Sequence, residues 1–159
     1  MSINKIEHRA TDLPADLPPL DCIIQHCAAA GYRQNGTDFA VEDIPRFWIK
    51  YGTSITLGEA LTQNQVAEIV NASPLSVVCI PEVYLVLHER CRYIVMQYIA
   101  GDTVARRQPS ARRYAEGDLA DVAAAVKQLI SLHVPADTSP GHVGGGPIGH
   151  DFFYRMQVH

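Results

Sequence analysis

Two residues, Lys50 and Glu59, have the types and spacing to do chemistry. Lys50 interrupts an apolar run, Phe47-Trp48-Ile49-Lys50-Tyr51, whose β-branched and aromatic residues suit a strand. An ammonium group inside such a run is costly to bury unless something pairs with it. Gly52 ends the strand. Thr53, Ser54 or Thr56 can cap the helix that follows, and Thr56-Leu57-Gly58-Glu59 fits a capping box. Taken singly, Lys50 reads as an edge-strand lysine facing water and Glu59 as a capping glutamate on a surface helix. Taken together they are a cation on a strand and a carboxylate at the start of the next helix.

A second stretch raises the pair above that reading. Tyr93-Ile94-Val95-Met96-Gln97-Tyr98-Ile99-Ala100-Gly101 is a buried-looking strand that runs into a short connector ended by glycine. In order along the chain, FWIKYG, ITLGEA, IPEVY and YIVMQYIAGDT resemble the N-terminal lobe of the protein-kinase-like fold. The branch they resemble is the aminoglycoside and choline phosphotransferase family, its fungal members in particular, over roughly residues 20 to 155. The resemblance implies ATP as cofactor, with Lys50 on the α- and β-phosphates and Glu59 holding Lys50. It further implies a hinge whose backbone binds adenine, through the Gln97 carbonyl and the Ile99 N–H, with Met96 behind the base.

The sequence departs from that family in two places. A loop over the phosphates needs several glycines so that backbone N–H groups can approach the anion. Only Gly31 and Gly36 stand where such a loop belongs, with no G-x-G-x-x-G. Trp48 occupies the position two before the lysine, which shares its face because strand side chains alternate. Either the indole crowds or stacks on the base, or a local twist turns it into the core.

The elements that position these residues follow from patterning. A chain of 159 residues, 47% hydrophobic and 19% charged, is one folded domain by size and composition. Residues 1–19, with Leu13-Pro14 and Leu17-Pro18-Pro19, read as an extended leader. Residues 20–30 place Leu20, Ile23, Ile24 and Cys27 at helical spacing, ended by Gly31. Asn35-Gly36 and Glu42-Asp43 read as turns on either side of a short strand. The helix from Leu57 runs to Asn71-Ala72-Ser73-Pro74. Residues 76–80, 82–88 and 93–96 read as strands, the last two as a hairpin. Residues 108–114 read as a polar loop or short helix. Residues 118–133 give the most regular helical pattern, with Leu119, Val122, Val126, Leu129 and Ile130 on one side. The expected fold is α+β: an antiparallel small-lobe sheet of about four or five strands crossed by one helix, then the first helices of a kinase-like large lobe. The expected division is a leader at 1–19, the small lobe at 20–101, and an incomplete large lobe with a glycine-rich tail at 102–159.

A formal net charge of −4 disfavours a nucleic-acid or anionic-membrane surface. The short basic cluster Arg106-Arg107 and Arg112-Arg113 reads as a solvated helix end. No apolar run approaches the ~20 residues of a membrane span, and residues 1–12 carry no signal-peptide core. Cys22, Cys27, Cys79 and Cys91 therefore read as free thiols in a cytoplasmic protein. Cys22, His26 and Cys27 lack the second close pair of a structural zinc site.

The chemistry of phosphoryl transfer also needs an aspartate to orient the nucleophile and acidic or amide ligands for Mg²⁺. Gly149-His150-Asp151 has the wrong order for such a loop, and no metal-binding motif follows it. Residues 141–149 lack the G-K-[ST] of a phosphate loop and read as a connector. The chain thus reads as a truncated or degenerate, pseudokinase-like relative, with no useful transfer expected from this polypeptide alone. The alternative is a non-catalytic module that uses the same fold to bind a protein partner or itself, through residues 118–133 and Phe152-Phe153-Tyr154. An unrelated α+β domain with a chance lysine is the third reading.

Overall fold

Burial along residues 44–52 alternates as side chains alternate on a pleated strand: Phe47, Ile49 and Tyr51 are buried, Trp48 is exposed and Lys50 is intermediate. This strand lies inside a sheet covered by a helix on each face. In the computed structural model, residues 5–32, 35–102, 116–133 and 143 are described. Their elements are β1 (Lys5–Arg9), α1 (Leu20–Ala30), β2 (Gly36–Val41), β3 (Ile44–Gly52), α2 (Leu57–Asn71), β4 (Val83–His88), β5 (Arg92–Gln97) and α3 (Glu116–Ile130). The five strands form one antiparallel sheet in the order β1-β4-β5-β3-β2. The fold is α+β, as the patterning predicts.

One face of the sheet packs on α1. Ile23 and Cys27 from the helix meet Phe47, Ile49, Tyr51, Leu85, Leu87, Tyr93 and Val95 from the strands. Leu20 and Ile24 pack beside them, so the helical spacing read from the sequence is the spacing that is buried. Gly31 closes α1 at φ +90°, a left-handed conformation that glycine adopts without strain, and its N–H donates to the Cys27 carbonyl.

The other face packs on α2. Ala60, Ala67 and Val70 are its buried side chains, and Ile55, Ala60, Val83, Val86, Ile94 and Met96 form the apolar cluster there. The short side chains let the helix lie close to the strands. Thr56 is the residue that caps α2, accepting from the Glu59 N–H at 3.1 Å. The β2–β3 hairpin turns at Glu42-Asp43, where both residues have positive φ, as a two-residue primed turn requires.

Four expectations change. Part of the leader is a strand: β1 pairs with β4 and forms one edge of the sheet. Asn35-Gly36 is not a separate hairpin turn, because Gly36 already begins β2 opposite Lys50. Residues 76–80 are not a strand. Their backbone groups are taken by side chains instead: Asn71 bonds both the N–H and the carbonyl of Ile80, and Gln128 accepts from the Val77 N–H. The third helix, α3, ends three residues earlier than the pattern through 133 suggests. Its apolar side is exposed, with Leu119, Val122, Val126 and Ile130 all open to solvent. The polar segment 108–114, the tail 150–159 and, apart from residue 143, the glycine-rich stretch 141–149 lie outside the described residues.

Candidate functional site

Three alternate pairs of the β3–β5 ladder stand on the α2 face: Trp48 opposite Met96, Lys50 opposite Ile94, and Gly52 opposite Arg92. The middle rung carries the ion pair. Lys50 Nζ donates to Glu59 Oε1, and Glu59 is fixed in the first turn of α2 by the Thr56 cap. The two side chains are 39% and 33% exposed, so water screens the pair and its contribution to stability is at most about 1 kcal/mol. Its value is orientation: the carboxylate holds a long, flexible ammonium at one place on the sheet.

The rung on one side opens into a cleft of about 340 Å³. Trp48 and Met96 line it from the sheet, Pro81 from the segment before β4, and Gln97, Tyr98, Ile99 and Gly101 from the chain leaving β5. Gln63, one turn along α2 from Glu59, donates to the Pro81 carbonyl at 2.9 Å and to Met96 Sδ at 3.3 Å, tying the helix to the cleft. The Gln97 N–H is committed to the Glu82 carbonyl and the Tyr98 N–H to the Arg46 carbonyl. The next backbone donor along the chain is Ile99, on the cleft lining.

Trp48 is not turned into the core. Its indole lies across β2 at Gly36, where an added Cβ would come within 2.7 Å of the ring. Gly36 is one rung away from the Asp38–Trp48 pair, so the missing side chain makes room for a diagonal ring. The indole therefore forms one wall of the cleft, 38% exposed.

At the opposite end of the ladder, Arg92 bonds Glu7 and the Ile55 carbonyl. Lys50 and Arg92 stand on neighbouring rungs of this face, and each already faces a carboxylate. Of the two glycines considered for a phosphate loop, Gly31 spends its N–H on the end of α1 and Gly36 lies in β2 beneath Trp48. Residues 33–34 lie outside the described part.

The residues expected to act together thus fall into two adjoining groups: Lys50 with Glu59, and Met96 with Gln97 and Ile99. Lys50 does not line the cleft; it stands one rung beyond Trp48. Sequence reasoning missed Gln63, Pro81 and Arg92. Gln63 alone had a legible sign, its one-turn spacing from Glu59 on the helix that starts at Leu57. Cys22 is exposed and Cys27 is buried in the α1 core, so the two do not converge. Among the described residues, no three His, Cys, Asp or Glu side chains gather to hold a metal, and no helix is long and apolar enough to cross a membrane.

A larger cavity, about 550 Å³, lies between α2 and the β1–β4 edge, lined in part by His8, Asn64, Glu68 and Glu82. It contains neither Lys50 nor Glu59. The smaller cleft lies instead beside the ion pair, where the Lys50 ammonium stands one rung from the Trp48 wall. Compared with family models, curated proteins and solved structures, the chain finds no match.

Proposed function

We propose that this chain binds ATP as the small lobe of a kinase-like phosphotransferase of the aminoglycoside phosphotransferase type. The observation that carries this reading is the order of the rungs on one sheet face: an apolar cleft walled by Trp48 and Met96, then the Lys50–Glu59 pair. Two residues of strand span about 7 Å, a separation that a ribose bridges between base and phosphate. The purine stacks on the indole, the Gln97 carbonyl and Ile99 N–H read its edge, and the phosphates draw Lys50 partly from Glu59. Stacking of a base on an aromatic side chain contributes about 1–3 kcal/mol in other nucleotide sites. The activity assigned to the chain is binding, because the residues that carry the reading, Trp48, Lys50, Glu59, Met96, Gln97 and Ile99, contact the nucleotide and none of them transfers its phosphate.

Trp48 is the single tryptophan of the sequence, so its emission reports on the cleft directly. Titration with Mg-ATP is expected to change that emission saturably in the micromolar-to-millimolar range. Emission that stays flat up to several times that range would contradict the proposal.

A second reading rests on α3. Leu119, Val122, Val126 and Ile130 are 49–79% exposed along one side of that helix, and Leu75 and Val77 are exposed on the segment that Gln128 binds. A non-catalytic interaction module would use that surface against a protein partner or a second copy. Sedimentation across a concentration series separates the readings: self-association that Val122→Glu abolishes supports the module, and a monomer at every concentration argues against self-pairing.

A further inference from the structure

The leader strand reaches the ion pair through a chain of hydrogen bonds. β1 is out of register with β4 between Ile6 and His8, and Glu7 is the residue at that irregularity. Bulges of this kind re-aim a side chain. Glu7 reaches across β4 to Arg92 of β5, its two carboxylate oxygens accepting from Nε at 2.6 Å and Nη2 at 3.4 Å. The remaining arm of the guanidinium, Nη1, donates to the Ile55 carbonyl at 2.5 Å. Ile55 is buried and directly precedes Thr56, whose hydroxyl caps Glu59, whose carboxylate holds Lys50.

We infer that Arg92 is a positioning residue for Lys50, fixing the start of α2, and with it Glu59, to the leader strand through Glu7. Three features carry this. Arg92 and Lys50 occupy neighbouring rungs of the same face. The Arg92–Glu7 side chains are 20% and 11% exposed against 39% and 33% for Lys50–Glu59, so the supporting pair is drier than the pair it supports. The planar guanidinium engages a carboxylate and a carbonyl at once, which an ammonium cannot do with the same geometry. The leader is then part of the site: release of β1 would free the first turn of α2. The consequence for ligand binding rests on the nucleotide reading above; the positioning itself does not.

The test is amide hydrogen exchange by NMR on the full chain, with ATP affinity measured in parallel. Glu7→Gln keeps the shape and removes the charge; Arg92→Lys keeps the charge and loses the fork. Arg46→Gln breaks the more exposed Arg46–Asp16 pair, which makes no contact with α2 or Glu7, and serves as control. In Glu7→Gln, exchange at the Glu59 amide is expected to accelerate about tenfold relative to the Ile94 amide in the sheet centre. Arg92→Lys should do the same, and Arg46→Gln should leave the ratio unchanged. The ATP dissociation constant should rise in the same two variants. Equal acceleration at Glu59 and Ile94 would mean that the clamp serves only global stability, and no change at Glu59 would mean that it anchors nothing; either overturns the inference. Wild-type protein that binds no ATP would remove the nucleotide reading and leave the exchange ratio to decide the positioning role.

Discussion

On the α1 face of the sheet, β3 contributes Phe47, Ile49 and Tyr51, each no more than 1% exposed, whereas on the α2 face the same strand contributes Trp48 and Lys50, both more than a third exposed. The α1 face is dry and neutral. Burial pushes the Cys27 thiol up to about 12, with Cys91 adding to the effect, and burial likewise raises the phenols of Tyr51 and Tyr93. Those groups stay protonated at neutral pH and serve as packing. The α2 face holds two ion pairs, Lys50–Glu59 and Arg92–Glu7, beside a cleft. A period of two therefore lets one strand carry stability on one side and chemistry on the other. The price is that the helix on the chemical side must be anchored by polar contacts as well as by its small apolar residues.

The largest effect should come from the dry face. Ile49→Ala removes a fully buried side chain and is expected to cost about 2–5 kcal/mol in denaturant unfolding. It should leave the ATP affinity of the folded fraction unchanged; a loss of affinity beyond what unfolding explains would break the division between faces.

Gly36→Ala probes the boundary between stability and cleft shape. Its Cβ would stand 2.7 Å from the indole, so the ring must move, at a cost of about 1–3 kcal/mol. The emission of Trp48 should shift with it. Unchanged emission together with unchanged stability would show that the ring does not rest on β2.

Acid sharpens the comparison further. The Arg92 hydrogen bonds hold the Glu7 carboxyl below the usual carboxylate range, aided by Arg92, His88 and Lys5 charge and opposed by burial. A depressed folded-state value means that this stabilisation is present above the unfolded-state value and is lost as pH falls through the folded one. Denaturant midpoints should therefore fall at acid pH by more in wild type than in Glu7→Gln. Parallel pH profiles would show that Glu7 gains nothing from Arg92. Smallest of all, Lys50→Ala should change stability by less than about 1 kcal/mol, because its ion pair is half in water.

Local patterning made much of this legible. The spacing of Leu20, Ile23, Ile24 and Cys27 sets α1, and the Thr56 cap sets the start of α2 and hence the nearness of Glu59 to Lys50. What escaped depends on partners far along the chain. Val77, Val78 and Ile80 are β-branched and apolar, yet Asn71 bonds both backbone groups of Ile80 and Gln128 accepts from the Val77 N–H where a neighbouring strand would have to. β1 is too polar to read as a strand, because Lys5, Glu7 and Arg9 are the charges that an exposed sheet edge favours. Arg92 falls just outside the strand read over 93–96, and its partners, Glu7 and Ile55, are remote in sequence. The direction of Trp48 turned on a glycine in the next strand, Gly36, whose significance no local pattern carries.

Calorimetric titration with Mg-ATP of wild type beside Lys50→Ala, both checked for equal thermal stability, tests the central claim most directly. Saturable heat in the wild type, lost in a mutant that melts at the same temperature, is the expected result. Equal binding by both proteins, or none by wild type, would contradict the assignment of Lys50 as the cation that receives the phosphates.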